Sequence, residues 1–190
     1  MESKEKNLTI CEKLNFTSNQ ENFDFNICLS TRSLEEILPL SQIVLHKKEI
    51  LYFETISRQK RQHSFLLGRY CAKKSIILTN KIESMSEIYI KNGIFEQPIV
   101  CHPIINNMNI SITHSDNIAA AISFPETHPS GIDVEMISRD KIKTIKTQLS
   151  ITEIRLSKNN IDLITIFWTA KEAMSKVFKC GLMIDFNILE

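Results

Sequence analysis

Apolar and polar positions alternate most clearly in two stretches of the chain. Phe23, Phe25, Ile27 and Leu29 alternate with Asp24, Asn26 and Cys28, a period of two that predicts a strand. Asn109-Ile110-Ser111-Ile112-Thr113-His114-Ser115 repeats the pattern, with Ile110 and Ile112 inward, Ser111 and Thr113 facing the other way and His114 at or near the strand end. The small apolar run 118–124 follows closely enough to predict a hairpin. Residues 86–90 and 131–136 also read as strands, and Gly93 and Pro98 mark a loop between elements. Residues 1–24 are polar and weakly patterned, either a ragged end or an irregular first strand.

Helical spacing appears elsewhere. Ser33-Leu34-Glu35-Glu36 has capping-box spacing. Leu45, Glu49 and Phe53 fall four apart in a basic amphipathic stretch over 41–61, and Phe65, Leu66, Ala72 and Ile76 give one apolar face to a helix over 62–79. Thr152-Glu153 suits a helix start, and a last helix over 164–179 carries Phe167, Trp168 and Val177, with Gly181 placed to end it. Arg69, Lys73 and Lys74, with Lys48 and Arg61 before them, make either a solvated helix face or a basic rim for phosphates.

At 190 residues and 43% hydrophobic, the chain can bury a sizeable core in one domain or two small lobes. A net charge of +1 gives no reason to expect a nucleic-acid or membrane partner. No stretch approaches the ~18 apolar residues of a membrane span. The charged start, 1–7, lacks the apolar centre of a signal peptide. Five scattered cysteines without a CxxC pair argue against a disulfide framework or a zinc site, so reduced thiols in a cytoplasmic protein are expected.

The candidate chemistry lies in two acidic clusters. Asp133 and Glu135, two apart on an expected strand, share a face; Glu172 and Lys176, four apart on an expected helix, share another. Either pair alone is an ordinary polar face or salt bridge. Three converging carboxylates would form an oxygen-rich site suited to Mg²⁺ and phosphate oxygens.

Gly-Ile-Asp-Val-Glu at 131–135, followed by Phe-Trp-Thr-Ala-Lys-Glu-Ala at 167–173 and then Lys176, resembles the two signature motifs of the 4′-phosphopantetheinyl transferases. Asn-Ile-Ser-Ile-Thr-His-Ser at 109–115 looks like a third motif of that superfamily, and Phe-Leu-Leu-Gly-Arg at 65–69 resembles the helix motif of its surfactin-synthetase-activating type. The resemblance implies an α+β fold of two similar lobes, a pseudo-dimeric monomer, with an N-terminal lobe over 1–124 and a C-terminal lobe over 125–190. It implies transfer of the phosphopantetheine arm of coenzyme A to a serine of an acyl or peptidyl carrier protein, releasing adenosine 3′,5′-bisphosphate. Carried over, Asp133, Glu135 and Glu172 would hold Mg²⁺, Glu172 would also act as general base, and Lys176 would stabilise phosphate charge. Thr113 and His114 would contact coenzyme A phosphates, and Lys48, Arg61 or Arg69 would meet the 3′-phosphate.

Two departures stand out. Gln97 occupies the position of a family lysine that meets coenzyme A phosphate, with Lys91 a nearby substitute. The family's second lobe usually continues with further strands beyond the position of Gly181, so a second lobe short of strands is expected here. A degenerate relative that binds coenzyme A or a carrier protein without catalysis is the alternative, and an unrelated Mg²⁺-dependent phosphohydrolase is a weaker one.

Overall fold

The structure is a computed structural model, and it describes residues 8–18 and 21–179 together with Phe186 and Leu189. The polar start is a regular strand: β1 (Thr9–Ser18) pairs antiparallel with β2 (Glu21–Ser30), placing Cys11 opposite Cys28 and Phe16 opposite Phe23. Three short helices follow, α1 (Leu34–Ile37), α2 (Ser41–Val44) and α3 (Lys47–Glu54). The Ser33 N–H donates to the Glu36 carboxylate, as the capping-box spacing predicts. The amphipathic stretch is not one helix, because Leu45 turns extended and His46 starts α3 as its N-cap.

The long helix α4 (Gln59–Ile77) leads through a 3₁₀ turn at Met85–Glu87 into the hairpin β3 (Tyr89–Asn92) and β4 (Pro98–Cys101). The expected strand over 86–90 therefore starts later, and Pro98 begins a strand. A second hairpin, β5 (Met108–Ser115) and β6 (Ile118–Pro125), completes a four-stranded antiparallel sheet of order β1-β2-β6-β5.

Directly opposed residues of an antiparallel pair share a face. Ile110, Ala119, Ala121 and Cys28 accordingly lie on the side that α4 covers with Leu66, Leu67, Cys71 and Ile76. Small side chains on β6 let the helix come close, and the Cys71 thiol donates to the Ala119 carbonyl oxygen at 3.4 Å. Gly68 serves the same approach, since a Cβ there would stand 3.2 Å from Ile112 Cγ2. Ser111 and Thr113 face the other way, as the alternation predicts.

After β6 the chain builds α5 (Ile142–Lys146), α6 (Ile151–Ser157) and α7 (Ile161–Val177) around a second small core of Ile145, Leu149 and Ile164. The Ser150–Glu153 capping box starts α6, and Asn160 Oδ1 accepts from the Asp162 and Leu163 N–H groups to start α7. The expected α+β class is what the chain adopts. Among the described residues none beyond Pro125 is in a strand, and Gly181 lies outside them. The expected strand over 131–136 is extended chain without a backbone ladder.

One helix residue departs from the solvated reading. Lys73 is fully buried, its ammonium bonded to the Glu49 carboxylate and, at 2.8 Å, to the Val44 carbonyl oxygen. Glu49 also accepts from the Ile90 N–H at 3.2 Å and the His46 N–H at 2.8 Å, and Arg69 Nε lies 3.1 Å from its Oε1. That last contact is an ion pair rather than a hydrogen bond, because the N–H is not aimed at the oxygen. The Glu49 carboxylate thus ties α3, α4 and β3 together, and Lys73 adds α2.

Candidate functional site

A cleft of about 620 Å³ opens between a wall built from α3, α4 and β3 and a wall built from β5, the acidic segment and α7. On the first wall stand Lys48, Arg61 and Arg69. On the second stand Thr113, His114, Asp133, Glu172 and Lys176. Eight of the nine residues singled out in the sequence therefore share one cavity, and Glu135 does not line it. Lys91 lines it too, while Gln97 does not; its Oε1 accepts from the Phe95 N–H at 2.9 Å and closes the β3–β4 turn.

Side-chain hydroxyls position the acidic segment. The N–H groups of Ile132, Val134 and Met136 donate to the hydroxyl oxygens of Ser111, Thr113 and Ser115, at 3.3, 3.2 and 3.2 Å. Each pair is offset by 21 residues, so the segment runs parallel to β5 at the distance of a side chain. Its other flank rests on α7. Gly131 is required there for close approach, because a Cβ would stand 2.0 Å from the Ala173 carbonyl oxygen. Gly131→Ala is expected to push the segment off α7 and cost about 1–3 kcal/mol, read as a lower midpoint in urea.

The carboxylates are held unequally. Asp133 Oδ1 accepts from Thr113 Oγ1 at 2.7 Å and from the Lys176 ammonium at 2.8 Å, and Lys176 also donates to the Ile132 carbonyl oxygen at 2.9 Å. Glu135 Oε1 accepts from Ser115 Oγ at 2.9 Å and from Lys141 at 2.8 Å. Burial opposes ionisation of Glu135, but the hydrogen bonds from Lys141 and Ser115 outweigh it and hold the carboxyl below its usual range. Glu172 goes the other way. Burial raises its pKa, with the nearby Asp133 charge adding to the shift, and among the described residues its buried Oε1 has no hydrogen-bond partner. The neighbouring Lys171 turns away from the cleft and pairs with Glu153 at 2.8 Å and the Phe186 carbonyl oxygen at 2.6 Å, fixing α7 on α6.

Among the described residues no three His, Cys, Asp or Glu side chains stand close enough to share one ion. Of the three carboxylates expected to converge, Asp133 and Glu172 line the cleft as a pair, while Glu135 is held beside it by Ser115 and Lys141. That pair still fits a hard divalent cation: the donors are oxygens, Glu172 Oε1 lacks a partner, and Mg²⁺ commonly takes only one or two carboxylates beside phosphate and water.

The basic wall is also differentiated. Lys48 is exposed over the Tyr89 ring at 5.2 Å and Arg61 is exposed, whereas Arg69 is packed over Phe65 at 4.7 Å and tied to Glu49. Arg69 contributes positive potential to the cleft, and the exposed Lys48 and Arg61 line it with charges that no ion pair among the described residues holds.

A profile of the 4′-phosphopantetheinyl transferase superfamily matches residues 129–190. The chain is 29% identical over 154 residues to the 4′-phosphopantetheinyl transferase gsp of Aneurinibacillus migulanus, covering 78% of this chain and 61% of that protein. It is 34% identical over 96 residues to a holo-[acyl-carrier-protein] synthase of Streptococcus agalactiae, covering 48% of this chain and 81% of that one. The chain belongs to the 4′-phosphopantetheinyl transferase superfamily. A partial structural likeness to a holo-(acyl-carrier-protein) synthase of Bacillus anthracis solved with CoA has a TM-score of 0.46 at 22% identity, over 53% of this chain and 93% of that one. Among the described residues no helix of this superfamily member is long and apolar enough to cross a membrane. Cys11, Cys28, Cys71 and Cys101 are free thiols.

Proposed function

We propose that this chain transfers the 4′-phosphopantetheine arm of coenzyme A to a serine hydroxyl of an acyl or peptidyl carrier protein, releasing adenosine 3′,5′-bisphosphate. The observation that carries the reading is the single cleft in which the cations Lys48, Arg61 and Arg69 face Asp133, Glu172 and Lys176. Residues 1–124 supply the basic wall and the histidine motif as one lobe, and 125–190 supply the carboxylates as the other. The protein acts as a cytoplasmic monomer.

The reaction joins the carrier serine oxygen to the β-phosphorus of coenzyme A and breaks the pyrophosphate P–O bond. Asp133 and Glu172 would hold Mg²⁺, with Glu135 behind them; the ion, when bound, supplies charge neutralisation on the pyrophosphate oxygens. Glu172 is the general base for the serine proton, and its raised pKa suits that task. Lys176, already reaching across to Asp133, stabilises charge on the phosphate oxygens. Lys48, Arg61 and His114 hold the anionic end of the donor, and Lys91 supplies the cation that Gln97 does not.

The test is the intact mass of an apo carrier protein incubated with this protein, coenzyme A and Mg²⁺. A gain of one phosphopantetheine arm, abolished by EDTA, is expected. No gain across fatty-acid, polyketide and peptide carriers, from a folded sample, would leave a module that binds coenzyme A or a carrier without transfer.

A further inference from the structure

The only hydroxyl proton of Thr113 is committed. A threonine hydroxyl has one proton to donate, and a carboxylate can only accept, so the 2.7 Å contact places that proton on Asp133 Oδ1. Thr113 Oγ1 in turn accepts from the Val134 N–H at 3.2 Å. Thr113 therefore has no hydroxyl proton left for a phosphate oxygen. Ser115 repeats the arrangement two residues on, accepting from the Met136 N–H and donating to Glu135 Oε1. Ser111, two residues back, accepts from the Ile132 N–H, and among the described residues it bonds to no carboxylate.

The consequence falls on which carboxylate oxygen is available. Thr113 and Lys176 both bind Asp133 Oδ1, and among the described residues Asp133 Oδ2 has no hydrogen-bond partner. Glu135 shows the same asymmetry, with Ser115, the Met136 N–H and Lys141 all on Oε1. One oxygen is tethered while the other stays uncommitted. Thr113 and Asp133 both line the cleft that holds Glu172.

We propose that Thr113 is a positioning residue, whose hydroxyl locks the Asp133 carboxylate so that Oδ2 is presented to a divalent cation, rather than a ligand of coenzyme A. This deepens the transferase reading and rests on it. Thr113 and Ser115 each couple a backbone N–H of the acidic segment to one of its carboxylates, whereas Ser111 meets only the Ile132 N–H at the segment's start. Partners that orient metal-binding carboxylates in this way typically change metal affinity when removed.

The experiment titrates Mn²⁺ alone into the full chain and reads free Mn²⁺ by electron paramagnetic resonance, beside a thermal melt of each variant. Thr113→Val, nearly isosteric but without the donor, is expected to weaken Mn²⁺ binding by roughly 10–100-fold. Thr113→Ser is expected to restore wild-type affinity. Ser111→Ala removes a hydroxyl that bonds only to backbone, so it is expected to lower the melting temperature and leave the affinity unchanged. If Thr113→Val does not fold, Thr113→Cys, whose thiol is a weak donor, takes its place. Wild-type affinity in Thr113→Val, or an equal loss in Ser111→Ala, overturns the positioning role. If Asp133→Asn abolishes binding while Thr113→Val does not, the positioning role falls and the metal-dependent reading stands. A wild-type chain that binds no Mn²⁺ overturns both.

Discussion

Glu172→Gln is expected to slow transfer severely and, in metal-free protein, to raise the melting temperature at pH 7. Loss of the general base lowers the rate by roughly 10²–10⁴-fold. The gain in stability follows from the electrostatics. The carboxyl is pushed up by burial and by Asp133, and one of its oxygens has no partner. Between the ordinary carboxylate pKa and the raised value, the folded chain binds more protons than the unfolded one. Stability therefore falls as pH rises through that window, and the cost is present once the folded carboxyl is ionised. Glutamine removes the charge and keeps the shape. The excess melting temperature of the variant should shrink as pH is lowered towards the ordinary carboxylate value of 4.5, where the carboxyl of folded wild-type Glu172 takes up its proton. Mg²⁺ should raise the wild-type melting temperature and leave that of the variant nearly unchanged. A variant that melts below wild type at pH 7, or one that modifies a carrier at the wild-type rate, would sink the assignment of Glu172 as a buried charge held ready for metal and proton.

Much of the site was legible because its residues report through local period. Asp133 and Glu172 lie in short motifs, and the strand and helix around His114 and Lys176 follow alternation and four-residue spacing. The fate of Glu135 was not legible. A two-residue spacing places it beside Asp133, but its Oε1 is held by Ser115 together with Lys141, which sits on a 3₁₀ turn that no periodicity marks. The acidic segment reads as a strand because Ile132 and Val134 alternate with Asp133 and Glu135. Its partner is a row of hydroxyls rather than a backbone ladder, which an alternating pattern cannot distinguish. A signal was nevertheless present: Ser111, Thr113 and Ser115 carry hydroxyls at every second position of the facing strand. The helix starts tell a similar story. Asn160 was available as an N-cap three positions before the Leu163-Ile164 pair, yet the apolar face alone suggests a later start. Lys171 and Glu172 are adjacent and so point apart, one into the small core and one into the cleft, a division their motif does not express.

Glu49 and Lys73 carry the second large expectation, on stability. In sequence Lys73 looks like one of several helix lysines, although it falls in phase with Leu66, Tyr70 and Ile76 on the stripe that α4 buries. Removing one side of a buried ion pair is far more costly than the pair is worth, because the remaining charge is stranded. The two sides are not equivalent here. Glu49→Ala strands Lys73 and Arg69 together and orphans the N–H groups of His46 and Ile90. Lys73→Met leaves Glu49 with Arg69 and both N–H donors, and methionine fills much of the same volume. Glu49→Ala is expected to cost about 3–5 kcal/mol, and Lys73→Met clearly less, measured by urea unfolding. The pH dependence separates this from simple loss of packing. Burial lowers the Lys73 pKa to about 8, below the 10.5 of a free lysine. Between those values the unfolded chain binds the extra proton, so this residue makes stability rise with pH. Cys11 acts in the opposite sense, its thiol pushed up to about 12 by burial, and Cys28 likewise is shifted upward, first by its bond with Cys71. The whole-protein profile therefore mixes the two, and the informative quantity is the difference between wild type and Lys73→Met. That difference should move in favour of wild type as pH rises from about 8 to 10, because only wild type sheds a buried charge. A flat difference would mean that Lys73 remains charged throughout and that its pairing with Glu49 outweighs its desolvation.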